Sequence, residues 1–271
     1  MVKYNVDELH RRMLGILKVI DSVCQKYELR YYITAGTMLG AVRHKGFIPW
    51  DDDADICMPR PDYEKLIAHC HEWLPQPFEL VSAETDAVYP LPFAKIQDGS
   101  TTLIERIHLK YLGGIYVDVF PIDGVPENKL LQKLHFARYE YYKRILYLMI
   151  RDPYKHGHGP DSWIPLLCRK FYKLADVQRR IRRLLLKYNY EESRYVADYD
   201  DGLRGVMPKT VLGLPTPYEF EGEQVMGVEL YDTYLSQKYG DYMTIPPHSE
   251  QRQHSFYYLD LGKSYREYKS V

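Results

Sequence analysis

The chain has 271 residues, 45% of them hydrophobic and 27% charged, which fits a soluble globular protein of one large domain or a core with an appended lobe. Its formal net charge of −1 gives no global reason to expect nucleic acid as a partner, and its longest apolar run, ILYLMI at 145–150, is too short to cross a bilayer. The opening MVKYNVDELHRRM lacks the basic-then-apolar pattern of a secretion signal, so a cytoplasmic location is expected.

In chain order, residues 6–26 read as an amphipathic helix with Val6, Leu9, Met13, Ile16, Leu17, Ile20 and Val23 on one stripe. RYYITAG (30–36) reads as a strand ending in glycine, 38–43 as a short helix, and KGFIPW as a loop set by Gly46 and Pro49. DADICM (53–58) is a candidate strand, followed by a helix over 62–74 with Pro61 near its first turn. Within that helix HCH (69–71) offers ligand types, but His69 and His71 point to different sides, so the group reads as structural. Strands are expected at FELVSA (78–83), FAKIQD (93–98) and IYVDVFPI (115–122). In the last, Ile115, Val117 and Val119 share one face, and Tyr116, Asp118 and Phe120 the other. The strands and helices do not alternate strictly, which predicts an α+β fold with a mixed β-sheet core flanked by helices.

From about residue 126 the character changes. Two long helices are expected, at 129–150 and 163–189, around a DPYKHGHGPDS loop; they make the C-terminal region largely helical. The second carries Arg169, Lys170, Lys173, Arg179, Arg180, Arg182, Arg183 and Lys187 against one acid, Asp176. A solvated face is the plain reading; peripheral contact with an anionic membrane is the sharper one. Short strands around PYEFEGEQV, a helix at 229–239 and a Pro-containing tail complete the chain. The expected division is a catalytic core over 1–125 and a helical and mixed acceptor-covering or substrate-covering region over 126–271, both able to form one continuous domain. Cys24, Cys57, Cys70 and Cys168, with no CxxC pair, read as reduced structural thiols. Tyrosine is abundant, at 27 residues. Amphipathic packing explains that most simply, and an aromatic site for a quaternary ammonium is the alternative.

The chemistry concentrates at residues 36–60, GTMLGAVRHKGFIPWDDDADICMPR. Asp51, Asp53 and Asp55 stand at i, i+2 and i+4, so an extended backbone projects all three to one side, about 6.5–7 Å apart. Asp52 then points away, toward solvent or a basic neighbour. Carboxylates at that spacing can converge on Mg²⁺, which prefers oxygen ligands. Asp118, one acid in an apolar strand, is the expected further ligand, because an ionised carboxylate is costly to bury without a cation. One or two Mg²⁺ ions, or Mn²⁺ in their place, could serve a phosphoryl displacement. Gly36 lets backbone approach a phosphate, the Thr37 hydroxyl can donate to it, and Arg43, His44 and Lys45 can offset its charge. Singly, each feature suits a solvated turn or an ordinary ion pair; in this order they favour a metal-dependent phosphoryl-group site.

AGTMLGAVRHKGFIPWDDDADICMPRPDYEKL, AKIQDGST, YVDVFPIDGVP and YGDYMTIPP also resemble the signature blocks of the LicD family of phosphocholine transferases. That family is similar in turn to the nucleotidyltransferase superfamily with a DNA-polymerase-beta-like core. The superfamily's Gly-Ser is Gly36-Thr37 here, and the gap to Asp53 is longer than usual. The resemblance implies a nucleotidyltransferase-like core in which Asp53 and Asp55 are the metal-binding pair, Asp118 the third carboxylate and Asp51 an additional acid, with Asp53, Asp55 and Asp118 catalytic. It implies an enzyme moving phosphocholine from CDP-choline to a sugar hydroxyl of a cell-surface glycan precursor, teichoic acid or lipopolysaccharide, with release of CMP. The acceptor would be lipid-linked. Choline recognition calls for aromatic faces, with Trp50 and Tyr116 the nearest candidates, and Lys95 matches a family position suited to the donor's phosphates. The alternatives are transfer of ribitol or glycerol phosphate from its CDP derivative, nucleotidyl transfer from an NTP, and a non-enzymatic scaffold, which would ordinarily have lost one of the three carboxylates.

Overall fold

The computed structural model describes residues 4–105, 111–155, 157–251, 253–254 and 256–268. Helix α1 (Val6–Lys26) starts where the Asn5 side chain accepts from the Asp7 amide, with Asp7 and Glu8 favourably placed in the first turn. Its expected stripe is buried from Leu9 to Cys24, with Val6 half-buried. Strand β1 (Tyr32–Ile33) is followed at once by α2 (Ala35–His44), then β2 (Asp55–Pro59) and α3 (Arg60–Trp73). The antiparallel strands β3 (Phe78–Val81), β4 (Ala94–Ile104) and β5 (Gly113–Val125) come next. Helices α4 (Lys129–Ile150), α5 (Pro160–Phe171) and α6 (Leu174–Leu185) precede β6 (Tyr195–Asp198), β7 (Met207–Pro208) and α7 (Lys209–Leu212). A hairpin of β8 (Thr216–Phe220) and β9 (Glu223–Gly227), helix α8 (Tyr231–Tyr239) and β10 (Tyr258–Asp260) finish the described chain.

Ten described strands join in one sheet, with the main order β10-β4-β5-β2-β1-β9-β8; β3 pairs with β4, and β6 with β5 and β7. β2 and β5 run parallel, as do β1 and β9, while β4 and β5 run antiparallel. This mixed sheet with helices is the expected α+β architecture. Strands from both sides of residue 125 enter the same sheet, since β6 pairs with the end of β5 and β9 with β1. The main core lies against α1 and the sheet, and a smaller cluster of Phe136, Tyr139, Leu146, Val177, Ile181 and Tyr199 lies under α4 and α6.

Three local expectations change. The strand expected over 30–36 is two residues long because Ala35, at φ +48°, turns the backbone straight into α2, placing Gly36 and Thr37 in the first helical turn. The strand expected over 93–98 continues to Ile104 through a register shift between Asp98 and Leu103. Its Gly99-Ser100 therefore forms an irregularity within the strand rather than its end. The helix expected over 163–189 is two helices, because Tyr172 and Lys173 are extended. The break lets Val177, Ile181 and Leu185 of α6 bury beside α4 independently of the orientation of α5.

Candidate active site

The sheet brings Asp55 and Asp118 together. β2 and β5 pair in parallel with Asp55 opposite Asp118, and the Asp118 amide donates to the Ala54 carbonyl at 2.9 Å. On the other side of β5, Lys95 of β4 stands opposite Asp118. The alternation of β5 is as expected, with Ile115, Val117 and Val119 buried and Tyr116, Asp118 and Phe120 half-buried on the reverse face.

Asp53 precedes the first residue of β2, so Asp51 and Asp53 belong to the loop entering the strand. Their carboxyls are nevertheless neighbours, and the Asp53 charge disfavours ionisation of Asp51. Burial raises the Asp51 pKa most, and the Asp53 charge adds to it. Asp55 is raised well above the ordinary carboxylate range by burial, then by Asp53 and Asp118. Asp118 is raised by burial, while Lys95 pulls it back. Asp52 is buried on a basic neighbour, His254, whose Nδ1 also lies 3.8 Å from Asp53 Oδ2. Asp52 Oδ1 meets His254 Nδ1 at 2.7 Å, its Oδ2 accepts from the His254 amide at 2.7 Å, and the Tyr4 hydroxyl also donates to it.

Gly36 and Thr37 shape this cluster from below. A Cβ at Gly36 would stand 2.6 Å from Asp51 Oδ2, so the glycine leaves the room that carboxylate occupies. The buried Thr37 Oγ1 accepts from the Asp55 amide at 2.8 Å and thereby anchors the strand's first residue. The preceding turn is also tied down: the Ala35 amide donates to the Tyr234 hydroxyl at 3.0 Å, and that hydroxyl also bonds Thr34 Oγ1. A positive φ at a non-glycine residue is strained, and α8 supplies the contact that holds it.

A cleft of about 780 Å³ opens above Asp51, Asp53 and Asp55. Arg43 and Trp50 line one side; Tyr239, Asp241, Tyr242 and Glu250 line the other. Arg43 Nη1 donates to the Tyr242 carbonyl at 2.8 Å, and its Nε donates to His44 Nε2 at 2.9 Å. No carboxylate pairs with Arg43 among the described residues, leaving a half-buried cation available to an anionic ligand. His44 lies edge-on to Trp50. Lys45 instead pairs with Glu219 of the β8–β9 hairpin, away from the cleft.

Lys95 and Tyr116 sit apart from the cleft. Lys95 is buried, not an exposed strand lysine, with Nζ 3.4 Å from Asp118 Oδ1 and 3.7 Å from Glu105 Oε2. The same ammonium lies 3.1 Å from the centre of the Tyr116 ring, whose hydroxyl donates to Glu105. That aromatic face is therefore already covered by a cation. Residue patterning did not single out Glu105 or the Asp52–His254 contact. The block YGDYMTIPP did carry Tyr239, Asp241 and Tyr242, through its family resemblance alone. His69 pairs with Glu72 and stacks on Trp73, and all four cysteines are free thiols.

Among the described residues, no three His, Cys, Asp or Glu side chains are already gathered as one ion's ligands. The donor chemistry nonetheless fits a hard divalent cation: the acids offer only oxygen, and the buried Asp118 Oδ1 has its ion pair with Lys95 at 3.4 Å but no hydrogen bond. The raised pKa values of the cluster fit the same need, since a cation would offset the mutual repulsion of the carboxylates.

Residues 28–148 match the family model described as LicD/FKTN/FKRP, nucleotidyltransferase domain. The chain is 29% identical over 265 residues to the lipopolysaccharide cholinephosphotransferase LicD of Haemophilus influenzae, covering 94% of this chain and 97% of that protein. It is 41% identical over 160 residues to an uncharacterized protein of Rickettsia prowazekii, covering 58% of this chain and 52% of the relative. An uncharacterized Rickettsia typhi protein is 32% identical over 144 residues, covering 52% and 44% respectively. The blocks around the acidic cluster thus fall within a LicD-type nucleotidyltransferase match over residues 28–148, and the chain is similar to a LicD protein over nearly its whole length.

Proposed function

We propose that the protein transfers phosphocholine from CDP-choline to a sugar hydroxyl of a cell-surface glycan precursor, releasing CMP. The observation that carries this reading is the similarity to a lipopolysaccharide cholinephosphotransferase over nearly the whole of both chains. The cleft adds chemical support. Trp50, Tyr239 and Tyr242 offer aromatic faces beside Asp241 and Glu250, a combination suited to a quaternary ammonium that has no hydrogen-bond donor. Arg43, without a carboxylate of its own, suits the donor's phosphates.

In this reading Asp51, Asp53, Asp55 and Asp118 hold Mg²⁺ or Mn²⁺ in a nucleotidyltransferase-like core. The metal, when bound, supplies Lewis-acid stabilisation of phosphate charge. The chain's own residues do the rest. Arg43 binds and orients the diphosphate. Asp118, flanking Asp55 and restrained by Lys95, orients the acceptor hydroxyl and takes its proton as the oxygen attacks phosphorus. One P–O bond forms to the sugar, the P–O bond to CMP breaks, and CMP leaves with the electron pair. Thr37 acts on Asp55, holding its backbone in register.

Thermal unfolding with Mg²⁺ and, in turn, CDP-choline, CDP-glycerol, CDP-ribitol and NTPs tests the donor. A ligand that binds the native state raises the midpoint. Protection by CDP-choline above the others supports the reading; protection by an NTP alone sinks it.

A further inference from the structure

Helix α5 presents its apolar side to the outside. A helix packed on a core turns its apolar arc inward. Here Trp163 (63% exposed), Ile164, Leu166, Leu167 and Phe171 (72% exposed) all face solvent. At about 100° per residue, these five fall within an arc of about 160° that also contains Lys170. The opposite side carries the buried Ser162 and Pro165, and Arg169, which donates to the Met149 and Arg151 carbonyls at 2.9 and 2.7 Å. So α5 is fastened to the end of α4 by polar contacts, and its apolar surface is left over.

The charge around this face is one-sided. Residues 151–187 hold ten Arg or Lys against three Asp, in a chain with net charge −1. Several of these cations are already engaged: Arg182 bridges Glu64 and Glu84, Arg179 pairs with Asp176, and Arg180 donates to the Tyr142 hydroxyl. Lys170, within the apolar arc, and Lys173, just beyond it, have no carboxylate partner among the described residues. A second copy docking here would set one basic segment against another. An anionic surface meets no such repulsion, and indole and phenyl rings at the edge of an apolar face suit the boundary between headgroups and acyl chains.

We infer that α5 is a membrane-docking helix for a bilayer containing anionic lipid. Trp163, Ile164, Leu167 and Phe171 enter the headgroup boundary, and Lys170 and Lys173 reach lipid phosphates. This deepens the proposed function by bringing the protein to an amphiphilic acceptor, while the docking itself does not depend on which group is transferred. The relevant feature is the exposed apolar arc of α5 with Lys170 and Lys173 beside it; Arg179, Arg180 and Arg182, further along the basic segment at 169–187, are engaged internally.

Co-flotation of the full chain with vesicles tests this, using phosphatidylcholine alone and phosphatidylcholine mixed with phosphatidylglycerol. The wild type should float with the mixed vesicles, less so in high salt and little with phosphatidylcholine alone. Trp163→Ser with Phe171→Ser should cut partitioning by about tenfold or more at an unchanged melting temperature, since both side chains are exposed. Lys170→Glu with Lys173→Glu should abolish the preference for the anionic mixture. No flotation by the wild type, equal binding to neutral vesicles, or full binding by the apolar variant overturns the proposal. So does a solution dimer that the same substitutions dissociate. Protection by CDP-choline, measured on the same preparations, separates the two ideas: flotation without protection removes the donor assignment and keeps the docking helix, and protection without flotation does the reverse.

Discussion

Replacing Thr37 by Val separates two roles for its hydroxyl. The substitution preserves shape and removes Oγ1, which accepts from the Asp55 amide at 2.8 Å in a buried setting. Asp55 is the first residue of β2, and its N–H would be left without an acceptor exactly where the chain enters the sheet. An unpaired buried amide costs about 1–3 kcal/mol. For a chain of this size each kcal/mol lowers Tm by about 2–4 °C, so the variant should melt about 3–10 °C below the wild type. Calorimetry on the metal-free protein reads this directly, and transfer kinetics on the same sample should show a fall in kcat with little change in KM for the donor, because Asp55 loses its anchor. Thr37→Ser should restore both quantities. A Tm unchanged to within about 1 °C together with a raised KM would refute the anchoring role and assign the hydroxyl to the donor's phosphate.

Three further outcomes follow from the same geometry. Gly36→Ala should lower activity with a small effect on Tm, because the new Cβ meets Asp51 Oδ2 at 2.6 Å and displaces a mobile carboxylate rather than backbone; full activity would contradict it. Asp123→Ala should destabilise by about 3 kcal/mol in urea titration, since it strips Nε and Nη2 of the buried Arg60 guanidinium of their partners at 2.7 and 2.6 Å and leaves it only Glu64 at 3.2 Å. His254 is raised from 6.5 to about 9, chiefly by its hydrogen bond to Asp52, so its contribution to stability is fully present below pH 6.5 and is lost as pH rises through about 9. His254→Gln should therefore lower Tm more at pH 6 than at pH 10 in metal-free buffer; an equal loss at both would remove the charge argument.

Much of the site was legible because its signals are local. Alternation in β5 set Asp118 on the face opposite the buried Ile115, Val117 and Val119, since one face of that strand must be covered. The i, i+2, i+4 spacing assumes an extended strand over residues 51–55, whereas β2 begins only at Asp55 and His254 faces both Asp52 and Asp53. What periodicity could not supply depends on distant partners. His254, more than two hundred residues from Asp52, makes that acid a buried anchor. Lys95 is offered as a ligand contact by family resemblance and Tyr116 by its place beside Asp118, yet the pairing of β4 with β5 directs them to Asp118, Glu105 and each other. The break at Tyr172–Lys173 has no Gly or Pro to announce it, and both flanking segments keep a helical period. Only the different environments of α5 and α6 separate them.

The decisive question is which group leaves the nucleotide and where it goes. Incubation of the protein with Mg²⁺, a lipopolysaccharide-type acceptor and CDP-choline labelled in the choline moiety, followed by separation of products, measures this directly. Label on the glycan and free CMP should appear in equal amounts, both lost in Asp118→Asn at an unchanged melting temperature. Nucleotide attached to the acceptor, or undiminished transfer by Asp118→Asn, would contradict the proposed reaction.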